Sequence, residues 1–403
     1  MTHFTTRINW RRGLKRRWLV TLSLFYFFQL ASAFAGTYLP RYLGLLGMSG
    51  TAIGLAFGLQ AVARSVAMPL WSYASDRFGI SVRLVQVQFL LAVPYLALPF
   101  AANGTVITAL LVLSGISIGC AIPVTDVVTI RELSGQAFGR IRSVGSVGFG
   151  VSAACFAYLG LTHSHTELAK LSVWVIVGLL VLAGVSASFF PRSPASLATA
   201  GREELSKMLT NRWLVVLMPL WALHWASQVP YNMYLVYFAE SRGFAAWMPG
   251  ASVVVAILAE VLFLAFGSRI VERLGPLLSF VLVVGATAAR WFLMAYVEDP
   301  FIVVALQLVH GLTFGGFMLS MMSVLNREVP SGVRATAQAV LYVVVFGLGG
   351  ALGQFVSGRL LDTFGAVSLF ETVAWLEVCL FVPTAVISLY YRRAGRHRMS
   401  VLS

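Results

Sequence analysis

The sequence predicts an all-helical membrane protein with twelve spans arranged as two six-helix halves, and three observations carry that prediction. Of 403 residues, 59% are hydrophobic and only 11% charged, with a mean hydropathy of +0.84; soluble domains are about a quarter charged. Apolar runs of about twenty residues, the length that crosses the hydrocarbon of a bilayer, recur along the whole chain. The basic residues mark the gaps between those runs: 23 of the 29 Lys and Arg fall on one side of the expected membrane, four on the other and two within spans. By the positive-inside rule both termini are then cytoplasmic, and a multi-pass protein of the inner (cytoplasmic) membrane is expected. The net charge of +14 does not imply a nucleic-acid partner, because these cations punctuate apolar segments and never form a continuous basic face.

The amino tail carries Arg7, Arg11, Arg12, Lys15, Arg16 and Arg17 before an apolar run from Trp18 to Pro40. A secretory leader would have a shorter apolar core and a small-residue cleavage site, so this run reads as a retained first span. The others are expected near 51-74, 84-102, 105-126, 143-161, 171-190, 213-238, 248-267, 277-297, 301-325, 337-358 and 368-391. The longest polar connection, 191-212, contains Pro191, Pro194 and Gly201. It divides the chain into an amino-terminal bundle with its basic tail (1-190), a cytoplasmic linker (191-212) and a carboxyl-terminal bundle with a second basic tail (213-403).

Each half repeats one element after its second span. Ser72 to Gly79 reads Ser-Tyr-Ala-Ser-Asp-Arg-Phe-Gly, and Ser268 to Gly275 reads Ser-Arg-Ile-Val-Glu-Arg-Leu-Gly. The acids Asp76 and Glu272 lie half a chain apart, as a duplicated six-helix unit requires. The acid-Arg-x-Gly turns, with Asp76, Arg77 and Gly79 in one half and Glu272, Arg273 and Gly275 in the other, resemble the conformational loop of the major facilitator superfamily, with Ser72 where the family usually begins on glycine. The resemblance implies the facilitator fold, two parallel halves rocking around a midplane site, and a monomer embedded in lipid.

A narrower likeness lies in Ile122-Pro-Val-Thr-Asp126, Phe138-Gly-Arg140-Ile-Arg142, Ala259-Glu260, Ala289-Arg290-Trp291 and Gln307-Leu-Val-His310-Gly-Leu-Thr-Phe314, together with Val-Ala-Arg64. These resemble the phenylpropionic acid permease branch, itself similar to lactose permease. The likeness implies proton-coupled uptake of a small metabolite, with the proton as coupling ion and no other cofactor. One departure stands out: the histidine of lactose permease is followed one turn later by a second carboxylate, and here that place holds Thr313.

Glu260, Arg290 and His310 fall in three consecutive spans. An ionisable side chain at that depth is costly unless it faces a partner or water, and it marks a transport path by default. At about 1.5 Å per residue their levels differ by roughly 8 Å at most, within the reach of an arginine, so the three are expected to share a cavity as the proton-coupling group. Asp126, near the end of span four with Arg131, Arg140 and Arg142 close in sequence, is a second coupling candidate; a helix-end salt bridge is its structural alternative.

For the substrate, Arg64 in span two has no acid near it in sequence and calls for a partner from another helix, water or an anion. Trp221, His224, Trp225, Gln228 and Asn232 share one face of span seven, flanked by Tyr231, and Tyr26 and Gln29 lie on the matching face of span one. Polar groups facing lipid would go unsatisfied, so these faces are expected to line the cavity. The surplus of buried cations favours a small organic anion such as an aromatic acid; uptake of a neutral sugar or nucleoside, or efflux by proton antiport, is the alternative, and an intramembrane enzyme or sensor, with Glu260, Arg290 and His310 catalytic or structural, is the rival of another class.

Little points to an enzyme or a metal site. Gly115-Ile-Ser117-Ile-Gly119 matches a hydrolase elbow only in letters, because Ser117 lies inside an apolar helix rather than at a strand-to-helix turn. No phosphate or dinucleotide loop is present. Cys120, Cys155 and Cys379 sit in apolar runs without metal-ligand or disulfide spacing.

Overall fold

The structure is a computed structural model that describes residues 2–78, 90–132, 135–190, 211–330 and 334–400. Among these residues every regular element is helical. In the first part of the chain α1 (Thr2–Ala35), α2 (Leu39–Leu45), α3 (Gly50–Phe78), α4 (Ala92–Ala97), α5 (Gly104–Glu132), α6 (Gly135–Leu159) and α7 (His165–Ala187) follow one another. The second part holds α8 (Arg212–Ser241), α9 (Trp247–Leu274), α10 (Pro276–Tyr296), α11 (Pro300–Leu306), α12 (Phe317–Glu328), α13 (Arg334–Tyr342) and α14 (Gly350–Ser400). Seven helical stretches among the described residues are long and apolar enough to cross a membrane. One of them, Ala337–Arg393, is 57 residues long and is broken at Gly365, whose φ of 80° is open to glycine and interrupts the helix between the expected spans eleven and twelve. The arrangement is that of an all-α, multi-pass membrane protein.

Several helix boundaries follow from local chemistry. Ser164 and Glu167 form a reciprocal capping box at the start of α7: the Glu167 amide donates to Oγ of Ser164 and the Ser164 amide donates to the Glu167 carboxylate at 2.7 Å. Asn211 Oδ1 accepts from the amides of Trp213 and Leu214 and opens α8, and Asp299 with Pro300 behind it opens α11. Gly275, with φ 85°, ends α9, and Pro276 begins α10 at once.

The chain forms two compact units. One comprises Met1–Met48 with Ala56–Ala198, the other Ser49–Leu55 with Thr199–Ser403. In the first, α1 packs on α6 and α7, and Phe34 anchors an aromatic cluster with Tyr38, Phe149 and Phe156. In the second, Leu214, Leu217, Trp221, Phe280, Phe317 and Met321 form the centre of a buried core. Gly349 and Gly353 are applied to α8: a Cβ on either would press against the backbone at Ala222 or Ala226. Small residues at these two positions therefore let α14 approach α8 closely.

Two segments of the second unit leave the α-helical path. Between α11 and α12 the chain passes through a 3-10 turn at Gln307–Val309 and a π-turn at Gly311–Gly316, and between α13 and α14 it makes a second π-turn at Val343–Gly349. Widened turns of this kind concentrate at functional sites. Residues 191–210 of the expected linker, the side chains of Asp76 and Arg77, Gly79 and the side chain of Cys120 lie outside the described residues.

Candidate functional site

The site of the second unit is built around Arg290. This side chain is 1% exposed, placed in the bundle by α10. Its Nη1 donates to Nδ1 of His310 at 3.1 Å and to Oγ1 of Thr313 at 3.2 Å, and its Nη2 donates to Oε1 of Gln307. Guanidinium nitrogens only donate, so Nδ1 of His310 accepts and carries no proton. The flat faces of the guanidinium rest on aromatic rings: its central carbon is 4.4 Å from the Trp291 centroid and 4.6 Å from that of Tyr231. Nε of Arg290 has no hydrogen-bond partner.

The 3-10 and π-turns explain how three acceptors of one span reach one cation. Gln307, His310 and Thr313 are spaced three apart, and departure from α-helical winding over Gln307–Gly316 carries them to the same side. Gln307 is fixed in turn by its Nε2 donating to the carbonyl of Val303 at 2.7 Å. Thr313, which occupies the position of an acid in lactose permease, is here a neutral acceptor.

Glu260 stands apart from this cluster, so the expectation that all three ionisable groups meet is fulfilled for Arg290 and His310 only. Glu260 is half-buried, and among the described residues it makes no hydrogen bond or ion pair. The reason is rotational. The preceding residue, Ala259, takes the contact with the neighbouring span, where a Cβ on Gly311 would run into the Ala259 carbonyl; Glu260 is turned about 100° from it.

Next to Arg290 a partly exposed aromatic surface is assembled. His310 and Phe314 stack with an interplanar angle of 5° and centroids 5.4 Å apart. Trp225 meets Phe314 at 6.0 Å and Phe346 edge-on at 4.6 Å, and Tyr342 closes the row against Phe346 at 5.1 Å.

The face of span seven divides in two. Trp221, His224, Gln228 and Tyr231 are buried in the second unit, whereas Trp225 is half-buried and Asn232 exposed. His224 Nδ1 lies 2.8 Å from Oε1 of Glu377, and both side chains are 0% exposed. The expectation of one continuous lining face is corrected accordingly: packing against Phe280 and Phe317 takes the first part of that face into the core.

In the first unit Tyr26 donates to Oδ1 of Asp126 at 2.5 Å. Arg142 lies 3.8 Å from the same oxygen and over the Tyr26 ring, with its own side chain 40% exposed. Gln29 is buried with Oε1 unpartnered. Arg64 is exposed and has no ion pair among the described residues, while Gln60, one turn earlier, donates to Ser114 at 2.8 Å. Glu272 and Arg273 are exposed in the last turn of α9. Among the described residues no group of three or more His, Cys, Asp or Glu side chains is arranged to hold a metal.

Residues 19–372 match the MFS_1 like family over most of the chain. The chain belongs to that family. This facilitator is 27% identical to the maltose permease of Geobacillus stearothermophilus over 86% of its own length and 87% of the permease. It is 28% identical to the xanthosine permease of Escherichia coli (strain K12) over 60% of this chain and 61% of the relative. Among solved structures, that of the nucleoside transporter NupG aligns with a TM-score of 0.79 at 18% identity, covering 93% of this chain and 98% of that one. The last likeness shows the fold, and with the family match it makes this a transporter of the major facilitator superfamily.

Sequence reasoning passed over Gln307 and Thr313 as binding partners, Tyr26 as the companion of Asp126, and the pairing of Glu377 with His224; the salt bridge of Asp126 with Arg142 was its structural alternative for that acid. A buried cation implies acceptors, so Gln307 was open to identification from its motif. The Glu377 contact joins residues 153 positions apart on different helices and leaves no local pattern.

Proposed function

We propose that this facilitator is a proton-coupled importer of a small, neutral, ring-bearing solute of the nucleoside or sugar class. It works by alternating access in the inner membrane, with both termini cytoplasmic, as a monomer and without enzymatic activity. One observation carries the substrate class: the terminal nitrogens of buried Arg290 already donate to the neutral acceptors His310, Thr313 and Gln307 and its faces are covered by Trp291 and Tyr231, so an anion would have to displace these partners to reach it. What the second unit presents beside it is the row Trp225, Phe314 and Phe346, suited to stacking on a ring, with polar groups at its edge. The relatives named for maltose, xanthosine and nucleosides support the same class. Glu260, half-buried and unpartnered, is assigned the coupling proton, because a carboxylate without a fixed counter-charge is free to gain and lose one as its surroundings change.

A second reading, uptake of an aromatic acid, is favoured by the 40% exposed guanidinium of Arg142 and by exposed Arg64; it would agree with the likeness to the phenylpropionic acid branch. Thermal-shift binding of uridine, maltose and 3-phenylpropionate to the purified protein separates the two. Stabilisation by uridine or maltose that is lost in Trp225→Ala and Phe314→Ala supports the neutral class. Stabilisation by 3-phenylpropionate alone, lost in Arg142→Gln, replaces it with the acid.

A further inference from the structure

The aromatic row of the second unit ends in a polar pair on α13. Phe346, in the π-turn Val343–Gly349, meets Trp225 of α8 at 4.6 Å and Tyr342, the last residue of α13, at 5.1 Å. Two glycines fix the place of this row: Gly349 lies against the backbone of Ala222, and a Cβ on Gly350 would stand 3.4 Å from the indole nitrogen of Trp225. One turn before Tyr342, Gln338 donates from Nε2 to the Tyr342 hydroxyl oxygen at 3.1 Å. Gln338, Tyr342 and Phe346 are half-buried, as are Trp225 and Phe314. Ala337, Leu341 and Val345, one position earlier in each case, are buried in the core, so Gln338, Tyr342 and Phe346 form one strip along its edge.

The bond between Gln338 and Tyr342 does not use up their polar atoms. With Nε2 given to the hydroxyl oxygen, Oε1 of Gln338 and the hydroxyl proton of Tyr342 have no hydrogen-bond partner among the described residues. One acceptor and one donor are thus left side by side, and an amide-hydroxyl pair leaves one of each whichever partner donates. A Gln and a Tyr one turn apart could serve only to steady the helix, but a polar pair turned to lipid would leave these functions unsatisfied. A ring N–H beside a ring C=O is their complement: the N–H donates to Oε1 and the carbonyl accepts from the Tyr342 hydroxyl. That is the amide edge of a uracil-type or hypoxanthine-type base, and unstacked bases are recognised in this way, by aromatic side chains on the face and hydrogen bonds at the edge. A sugar hydroxyl is donor and acceptor at once and does not call for an ordered pair.

We propose that Gln338 and Tyr342 read the amide edge of a nucleobase while Phe346, Trp225 and Phe314 take its ring, which makes the solute a nucleoside rather than a sugar. This rests on the reading of the protein as an importer of neutral, ring-bearing solutes. The test is isothermal titration calorimetry of the purified full-length protein with uridine, 3-methyluridine and maltose. The methyl group removes the N–H of the base and leaves its carbonyls and ribose. The wild type is expected to bind uridine about tenfold or more tightly than 3-methyluridine, as one acceptor left unpaired implies, and Gln338→Leu to bind the two alike. A role in helix packing alone would not move that ratio. Should Gln338→Leu fail to accumulate in the membrane, Tyr342→Phe, which keeps the ring against Phe346 and removes the donor, is expected to weaken uridine binding about tenfold. Equal binding of uridine and 3-methyluridine by the wild type, a preference that persists in Gln338→Leu, or undiminished uridine binding by Tyr342→Phe overturns the proposal and leaves the neutral-solute reading in place, as does binding of maltose without uridine. Binding of neither uridine nor maltose overturns both.

Discussion

Arg290 and Glu260 illustrate two ways for an ionisable residue to exist in a span. Arg290 is enclosed, with rings on its faces and three neutral acceptors at its terminal nitrogens. Its truncation would leave Gln307, His310 and Thr313 without their donor, at about 1–3 kcal/mol for each buried group left unpaired. Arg290→Ala is therefore expected to lower the melting temperature of the purified protein severely and Arg290→Lys less so; equal stability of Ala variant and wild type would show that the cluster does not hold the spans together. Glu260 has no such partners, so Glu260→Gln is expected to fold normally. It should abolish accumulation against a gradient while sparing counterflow exchange, which requires no net proton movement. Normal accumulation by Glu260→Gln would move the coupling site elsewhere, with Asp126 and its Tyr26 and Arg142 partners next in line. Of these residues, Arg290 and His310 were legible in the sequence because a charge inside an apolar run demands explanation. Their partners were less so, because Gln307 and Thr313 are unremarkable letters until a widened turn carries them to the guanidinium. The pairing of His224 with Glu377 was not legible at all, since it depends on which faces of two distant helices pack together.

At the level of elements, the expected spans were drawn from apolar runs alone. Ser164 with Glu167, Asn211, and Asp299 with Pro300 are start signals present in the letters that those spans did not use. The two π-turns were not foreseen, because no residue type demands one. Ser164→Ala is expected to cost about 1 kcal/mol by removing the capping box of α7, measurable as a small drop in melting temperature without change in transport. Gly353→Leu carries a larger expectation. Even a Cβ at that position presses on Ala226, and a full side chain would force α14 away from α8 at a cost of about 1–3 kcal/mol or more. A Gly353→Leu variant as stable and active as the wild type would show that close approach of these helices is dispensable.

For the molecule as a whole, composition alone established that lipid is the main solvent, and the half-chain repeat of Asp76 and Glu272 together with the asymmetric arginines pointed to the facilitator architecture that the family match bears out. Topology is tested by fusion. A folding reporter after Ser403 is expected to fluoresce from the cytoplasm and alkaline phosphatase inserted near Thr166 to be active outside it; a dark carboxyl-terminal fusion that is nonetheless inserted would contradict the charge argument. The substrate class was the least legible feature. It depends on how buried cations are held, and the letters count charges without showing their partners: the surplus of arginines suggested an anion, whereas Arg290, held by neutral acceptors and covered by rings, turns the balance toward a neutral ring. The most direct measurement is uptake of labelled uridine and of labelled maltose into proteoliposomes containing the purified protein, with and without an inwardly directed proton gradient. Concentration of at least one of them inside the vesicles only when the gradient is imposed, lost in Glu260→Gln, is the predicted result. Absence of gradient-driven uptake of both, with concentration of 3-phenylpropionate in the same vesicles, would contradict it.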